Sequence, residues 1–206
     1  MSFSIAFFVA AIVLAVTPGP SITYVIARTV AANRAEGLAS CAGTGLGGMF
    51  HVFASAVGIS LLIAQSALAF SLVKYLGAAY LVYIGIHLLL RAQADLSTMP
   101  VKAQGARRAF VEGVLIEGLN VKTALFFLAF LPQFVTPDGS LVYQLVVLGT
   151  ICVLLNTLAD VAAVFLADWL MRAKALRTDR ARTMSRASGV TMLGLGAYLA
   201  LFSRAP

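Results

Sequence analysis

Thr17-Pro18-Gly19-Pro20-Ser21 interrupts an uncharged apolar segment that runs from Met1 to Ala27. An unbroken helix cannot contain it, because proline removes a backbone donor and clashes with the preceding turn, while glycine tolerates angles that other residues avoid. Inside lipid, freed backbone groups persist only where protein buries them or where they line a watery cavity. The five-residue interruption is therefore read as a functional break in a membrane helix, and hence a binding site, in preference to a simple proline kink.

The membrane assignment rests on composition. Charged residues make up 11% of the chain and hydrophobic residues 61%, against a charged share of about a quarter in ordinary soluble domains. Mean hydropathy is +0.95. The 206 residues hold several spans of about 20 residues and leave no room for a separate soluble domain. A formal charge of +7 would suggest nucleic acid in a soluble protein; here its distribution among loops carries the information, and no nucleic-acid partner is expected. Cys41 and Cys152 lie in apolar segments without CxxC spacing, so they read as packing residues, with no disulfide and no metal site. No cofactor is expected either. The N-terminus lacks the basic region of a signal peptide and is expected to be retained as the first span.

Apolar runs over Phe3–Ala27, Leu38–Ile63, Leu72–Leu90, Phe110–Phe134, Leu141–Leu170 and Ala187–Phe202 predict an all-α polytopic membrane protein with six transmembrane helices, the first broken at Thr17–Pro20. As one straight helix the first run would measure about 37 Å, more than the hydrocarbon core needs. Arg28, Arg34, Arg91, Lys102, Arg107, Arg108 and the six basic residues from Arg172 to Arg186 fall on one face, and only Lys74 and Arg204 on the other. The rich face is predicted to be cytoplasmic, which puts both termini outside.

The two halves align without a gap when Val9–Ser21 is set against Val111–Thr123, placing Pro18-Gly19-Pro20 opposite Asn120-Val121-Lys122. Identity is weak but placement is good. Three spans per half give opposite orientations, so the chain reads as a single transmembrane domain, 1–206, of two inverted three-helix repeats, 1–91 and 110–206, joined by a cytoplasmic loop at 92–109. Such repeats set the substrate site near the midplane.

Lys122 lies in an apolar helix, where an ammonium costs about 2.5–3.5 kcal/mol even on insertion scales, so it needs a partner, water or substrate. Asp160 is the preferred partner, since Glu117, five residues away on the same helix, is poorly placed; a buried ion pair that only fixes packing is the plainer alternative. The half-helix starting after Pro20 offers amides, including that of Ser21, to an anion such as an amino-acid carboxylate. Glu117 or Asp160 would then meet the substrate ammonium, and either can carry a coupling proton. Asn120 bonds exposed backbone, substrate or a neighbouring helix. His51 is a further proton-coupling candidate, with hydrogen-bonded packing the plainer reading. The expected substrate-binding set is Thr17, Pro18, Gly19, Pro20, Ser21, Glu117, Asn120, Lys122 and Asp160. Gly43-Thr44-Gly45-Leu46-Gly47-Gly48 matches GxGxxG without any strand before it, so a dinucleotide site is rejected. Gly43 and Gly47 instead suit close helix packing, internal or in a homodimer. Phe126, Phe127 and Phe130 are expected to face lipid or neighbouring helices.

Thr17-Pro-Gly-Pro-Ser21, the glycine-rich second span with His51, Leu76-Gly-Ala-Ala-Tyr-Leu-Val-Tyr-Ile-Gly85 and Asn120-Val-Lys-Thr-Ala-Leu-Phe-Phe-Leu-Ala-Phe-Leu-Pro-Gln-Phe134 together resemble the lysine exporter superfamily, in its homoserine/threonine-efflux branch. The resemblance covers nearly the whole chain. It implies export of an amino acid or derivative across a bacterial inner membrane, by antiport with protons and without enzymatic chemistry. The chain departs from the family's usual pattern in three places. Val121 stands where the family usually has proline, Ser21 where asparagine is common, and Glu117 where an uncharged residue is frequent. The missing proline removes the strongest local reason for a sharp break in the fourth span. Two rival functions are a metal or other cation exporter, disfavoured by the few ligand residues, and an intramembrane enzyme using Ser21, His51 and Asp160, for which no catalytic motif exists.

Overall fold

The computed structural model describes residues 5–65, 103–137 and 139–172, together with isolated helical positions between 68 and 86. Helix α1, Ile5–Val16, gives way at Thr17–Gly19 to α2, Pro20–Ala31. Pro20 stands in the first turn of α2, where its missing N–H costs nothing. Asn33 accepts the Glu36 amide at 3.0 Å and so closes the first turn of α3, Arg34–Gln65, a 32-residue helix. Helix α4, Ala106–Gly118, is followed by α5, Val121–Phe130, and a 3-10 turn, Leu131–Phe134. Gly139, at φ +112°, precedes α6, Leu141–Arg172, also of 32 residues.

Arg34–Ile59 and Leu141–Met171 are each long and apolar enough to cross a membrane, and the bent pairs α1–α2 and α4–α5 would make four spans if each crosses once. These correspond to the first, second, fourth and fifth spans expected from sequence. The third, expected over 72–90, is described only at isolated positions; the sixth, over 187–202, and most of the 92–109 loop lie outside the described residues. Both pairs bend by the same angle, 45°. The fourth span is thus broken as sharply as the first, although it lacks the proline.

Helix α3 runs through the middle, packed chiefly against α4 and α6. Its approach to α4 is set by glycine. A Cβ on Gly43 would lie 2.1 Å from the Phe110 carbonyl oxygen, and one on Gly113 would lie 2.6 Å from that of Ser40. Since lipid tails supply no hydrophobic drive between helices, such close backbone contact is what holds them together. The Gly43/Gly47 pair therefore serves internal packing. Phe7 and Leu14 of α1, Val52 and Ile59 of α3, and Leu145 and Leu148 of α6 surround a core that includes Phe126, Phe127 and Phe130. The aromatic run faces neighbouring helices, with Phe126 and Phe130 stacked 5.0 Å apart. Cys41 and Cys152 are buried free thiols.

Candidate functional site

The first break leaves specific backbone atoms without partners. In a continuous helix the residue at 18 would donate to the Leu14 carbonyl, but Pro18 has no N–H. Thr17 turns its own hydroxyl back to the Val13 carbonyl at 2.6 Å, alongside its amide at 3.1 Å. The Leu14 and Thr17 carbonyls are taken up by the Lys122 ammonium, which donates to them at 3.3 and 3.0 Å. Gly19 has extended angles, φ −145° and ψ −174°, which any residue can adopt. Its requirement is spatial, since a Cβ there would lie 2.9 Å from Lys122 Nζ.

The second break is held by side chains. Asn120, in extended conformation, accepts the Lys122 amide through its side chain at 3.1 Å and so caps α5. Its side-chain amide donates to the Glu117 carboxylate at 2.9 Å and to Ser21 Oγ at 3.2 Å. Thr123 donates to the other Glu117 oxygen at 2.8 Å, and the Ser21 hydroxyl donates to Glu117 from across the bundle. All four residues are buried. A buried carboxylate with several hydrogen-bond donors is held in a defined orientation.

Asp160 of α6 accepts from Thr44 of α3 at 2.8 Å. Asp160 and Glu117 line one small cavity together with Leu14, Thr44, Thr123, Phe127 and Asn156. Its volume is about 10 Å³, room for about one water molecule. The site is closed in this conformation.

The preferred pairing of Lys122 with Asp160 is not what the fold provides. Lys122 forms no salt bridge among the described residues. The break supplies it with carbonyl oxygens instead, and the Thr44 hydroxyl serves Asp160. His51 of α3 is buried with Nε2 at 2.7 Å from the Glu117 backbone oxygen, and its ring lies beside Phe50 and Phe127. Ser21, His51 and Asp160 each bond a different group, so they form no nucleophile–base–orienter chain. Among the described residues no three His, Cys, Asp or Glu side chains are grouped to hold a metal ion.

Thr44 and Thr123 belong to the site and escaped sequence reasoning, since a lone threonine in an apolar helix usually bonds the preceding turn. A second group was missed as well. Arg28, counted from sequence only among the basic residues of the predicted cytoplasmic face, is 1% exposed. It donates to Tyr24 at 3.0 Å, to Glu36 at 3.3 Å and to Glu112. Glu36 also accepts the Gly105 amide at 2.9 Å, and Glu112 pairs with Arg108 at 2.9 Å. This cluster ties α2, α3 and α4 together at the end of the bundle where the basic residues collect.

The LysE type translocator family model matches residues 12–203. The chain belongs to this family. It is 31% identical over 198 residues to an uncharacterised membrane protein of Vibrio cholerae, with 95% of each chain covered. To the homoserine/homoserine lactone efflux protein of Salmonella typhimurium it is 28% identical over 202 residues, covering 95% of this chain and 94% of that one. A leucine efflux protein of the same organism is 30% identical over 132 residues, 63% of this chain and 61% of its own. No solved structure matches. The chain is a multi-pass protein of the bacterial inner membrane.

Proposed function

We propose that this protein exports a small amino acid or amino-acid derivative, by proton-coupled secondary transport, through a site formed where the two helix breaks meet. Two findings bear on this: the family is one of translocators, and two relatives are efflux proteins, one for homoserine or its lactone, which matches this chain over a stretch that includes both breaks, and one for leucine. The observation that carries the reading is the mutual clasp between the breaks. Lys122, just past the second, satisfies carbonyls of the first, and Ser21, just past the first, donates to Glu117 at the second. Polar groups at this depth are expensive, and a purely structural role would need far fewer of them.

The equal bends support two inverted repeats, 1–91 and 110–206, around the loop 92–109, while the apolar runs and the one-sided distribution of Lys and Arg support six spans with both termini outside. In the opened site, the free amides at the start of α2 would take the substrate carboxylate. Glu117 and Asp160 would take the ammonium, and either would carry the coupling proton when substrate leaves. A cavity that holds one water must widen first, which is the alternation between inward- and outward-open states. Thr17, Pro18, Gly19 and Pro20 shape the first break, and Asn120 the second.

The test is efflux from proteoliposomes preloaded with mixed amino acids, with and without an imposed pH gradient, for the native chain and Glu117→Gln at matched insertion. Gradient-sensitive loss of one or a few amino acids, absent in the variant, is expected. Unchanged internal pools for the native chain would refute the function.

A further inference from the structure

Gly43, Gly47 and His51 follow one another at four-residue intervals along α3, a single stripe on a helix of this period. The stripe faces α4. Gly43 lies against the Phe110 carbonyl and Gly47 against that of Val114, and His51, one turn further, reaches the Glu117 carbonyl at 2.7 Å. That oxygen marks the break. A continuing helix would bring it the amide of Val121, but Val121 starts α5, and the oxygen accepts the Asn120 amide at 2.9 Å instead. His51 supplies its second donor. A carbonyl can only accept, so Nε2 must carry hydrogen. The ring is buried beside Phe50 and Phe127, and its bond goes to backbone. Of the buried ionisable side chains on the helices around it, Glu117 is held by Ser21, Asn120 and Thr123, Asp160 by Thr44, and Lys122 by two carbonyls.

From this placement we infer that His51 is a positioning residue: its Nε2–H holds the backbone of Glu117 at the second break and so aims the Glu117 carboxylate at Ser21. It does not relay protons. The inference rests on Glu117 being part of the transport site.

The test compares the native protein with His51→Gln, whose terminal amide can donate to the same oxygen, and His51→Leu, which cannot. Transport is measured in proteoliposomes against substrate concentration and pH, and imidazole nitrogen NMR reads the protonated ring nitrogen of the native protein in membranes. The Gln variant is expected to keep the native pH profile and a rate within about twofold, while the Leu variant raises KM about tenfold, the loss of roughly one buried hydrogen bond. A Gln variant whose pH dependence is abolished, or a Leu variant with native KM, overturns the inference while leaving amino-acid export standing. The NMR arm decides it without transport. Hydrogen on Nε2 is expected, and a bare Nε2 overturns the assignment even if the native protein moves no amino acid.

Discussion

Replacing Lys122 by Met separates the role of the ammonium from its contribution to folding. The substitution strips the donor from the Leu14 and Thr17 carbonyls. Each unsatisfied buried acceptor costs about 1–3 kcal/mol, so about 2–6 kcal/mol together. Against this, the buried ammonium itself costs about 2.5–3.5 kcal/mol in the native protein, a penalty that an apolar side chain of similar length does not carry. The difference runs from a gain of about 1.5 to a loss of about 3.5 kcal/mol. Lys122→Met should therefore insert and fold, with an unfolding midpoint in detergent within about 10 °C of the native one. Transport should nevertheless fall at least about tenfold, because the first break loses the group that holds its carbonyls toward the second. The assay is proteoliposome efflux at matched insertion, with thermal unfolding of the same preparations. Native transport would refute the role of Lys122, and a variant that cannot fold would refute the offset between the two terms.

Three further outcomes follow from the same geometry. Gly19→Ala sets a methyl group 2.9 Å from Lys122 Nζ; efflux should fall to the level of Lys122→Met, and joining the two substitutions should add little, as coupled sites do. Gly43→Ala places a methyl group against the Phe110 carbonyl and should cost about 1–3 kcal/mol or more of stability in denaturant unfolding, whereas Gly58→Ala, with nothing within 4 Å, should be neutral; equal effects would refute the packing argument. Arg28→Met leaves Glu36 and Glu112 without their shared cation and should destabilise by about 3–5 kcal/mol, with Glu36→Gln recovering part of the loss in the double variant.

The first, second, fourth and fifth apolar runs and the first break were legible because their signals are local. Apolar length identifies a membrane helix, and Pro18-Gly19-Pro20 cannot lie inside an unbroken one. The break at Leu119–Asn120 was harder to read, since nothing there forbids a helix. It depends on Asn120 accepting from Lys122 and donating to Glu117, and on His51 and Ser21 arriving from other elements. The sequence carried a partial signal in Asn120 followed by Thr123, a cap residue with a hydroxyl one turn on. For Lys122, the sequence called for a partner, water or substrate, but the partners it offered by name were carboxylates. The breaks themselves create acceptors, and backbone carbonyls are invisible in a residue string. Arg28 was misplaced for the opposite reason: near a helix end it reads as solvated, until Glu36 and Glu112 are brought to it by packing.

The two breaks are built by different means and reach the same bend, 45°. At the first, proline deletes a donor and leaves acceptors, so the remedy must be a donor, and Lys122 is one. At the second no donor is deleted, and the break persists because competing groups occupy the Glu117 carbonyl and the α5 amides in place of each other. A break made by proline is permanent, whereas one made by hydrogen bonds can in principle be exchanged for helix. The groups that hold the second break are themselves spread over both halves: Ser21 and His51 from the first, Thr123 and Asn120 from the second. In the proposed transport cycle, movement of one half against the other would act first on the second break, and through Lys122 on the carbonyls of the first. Val121 keeps the N–H that a proline would lack, so this exchange stays open to the second break.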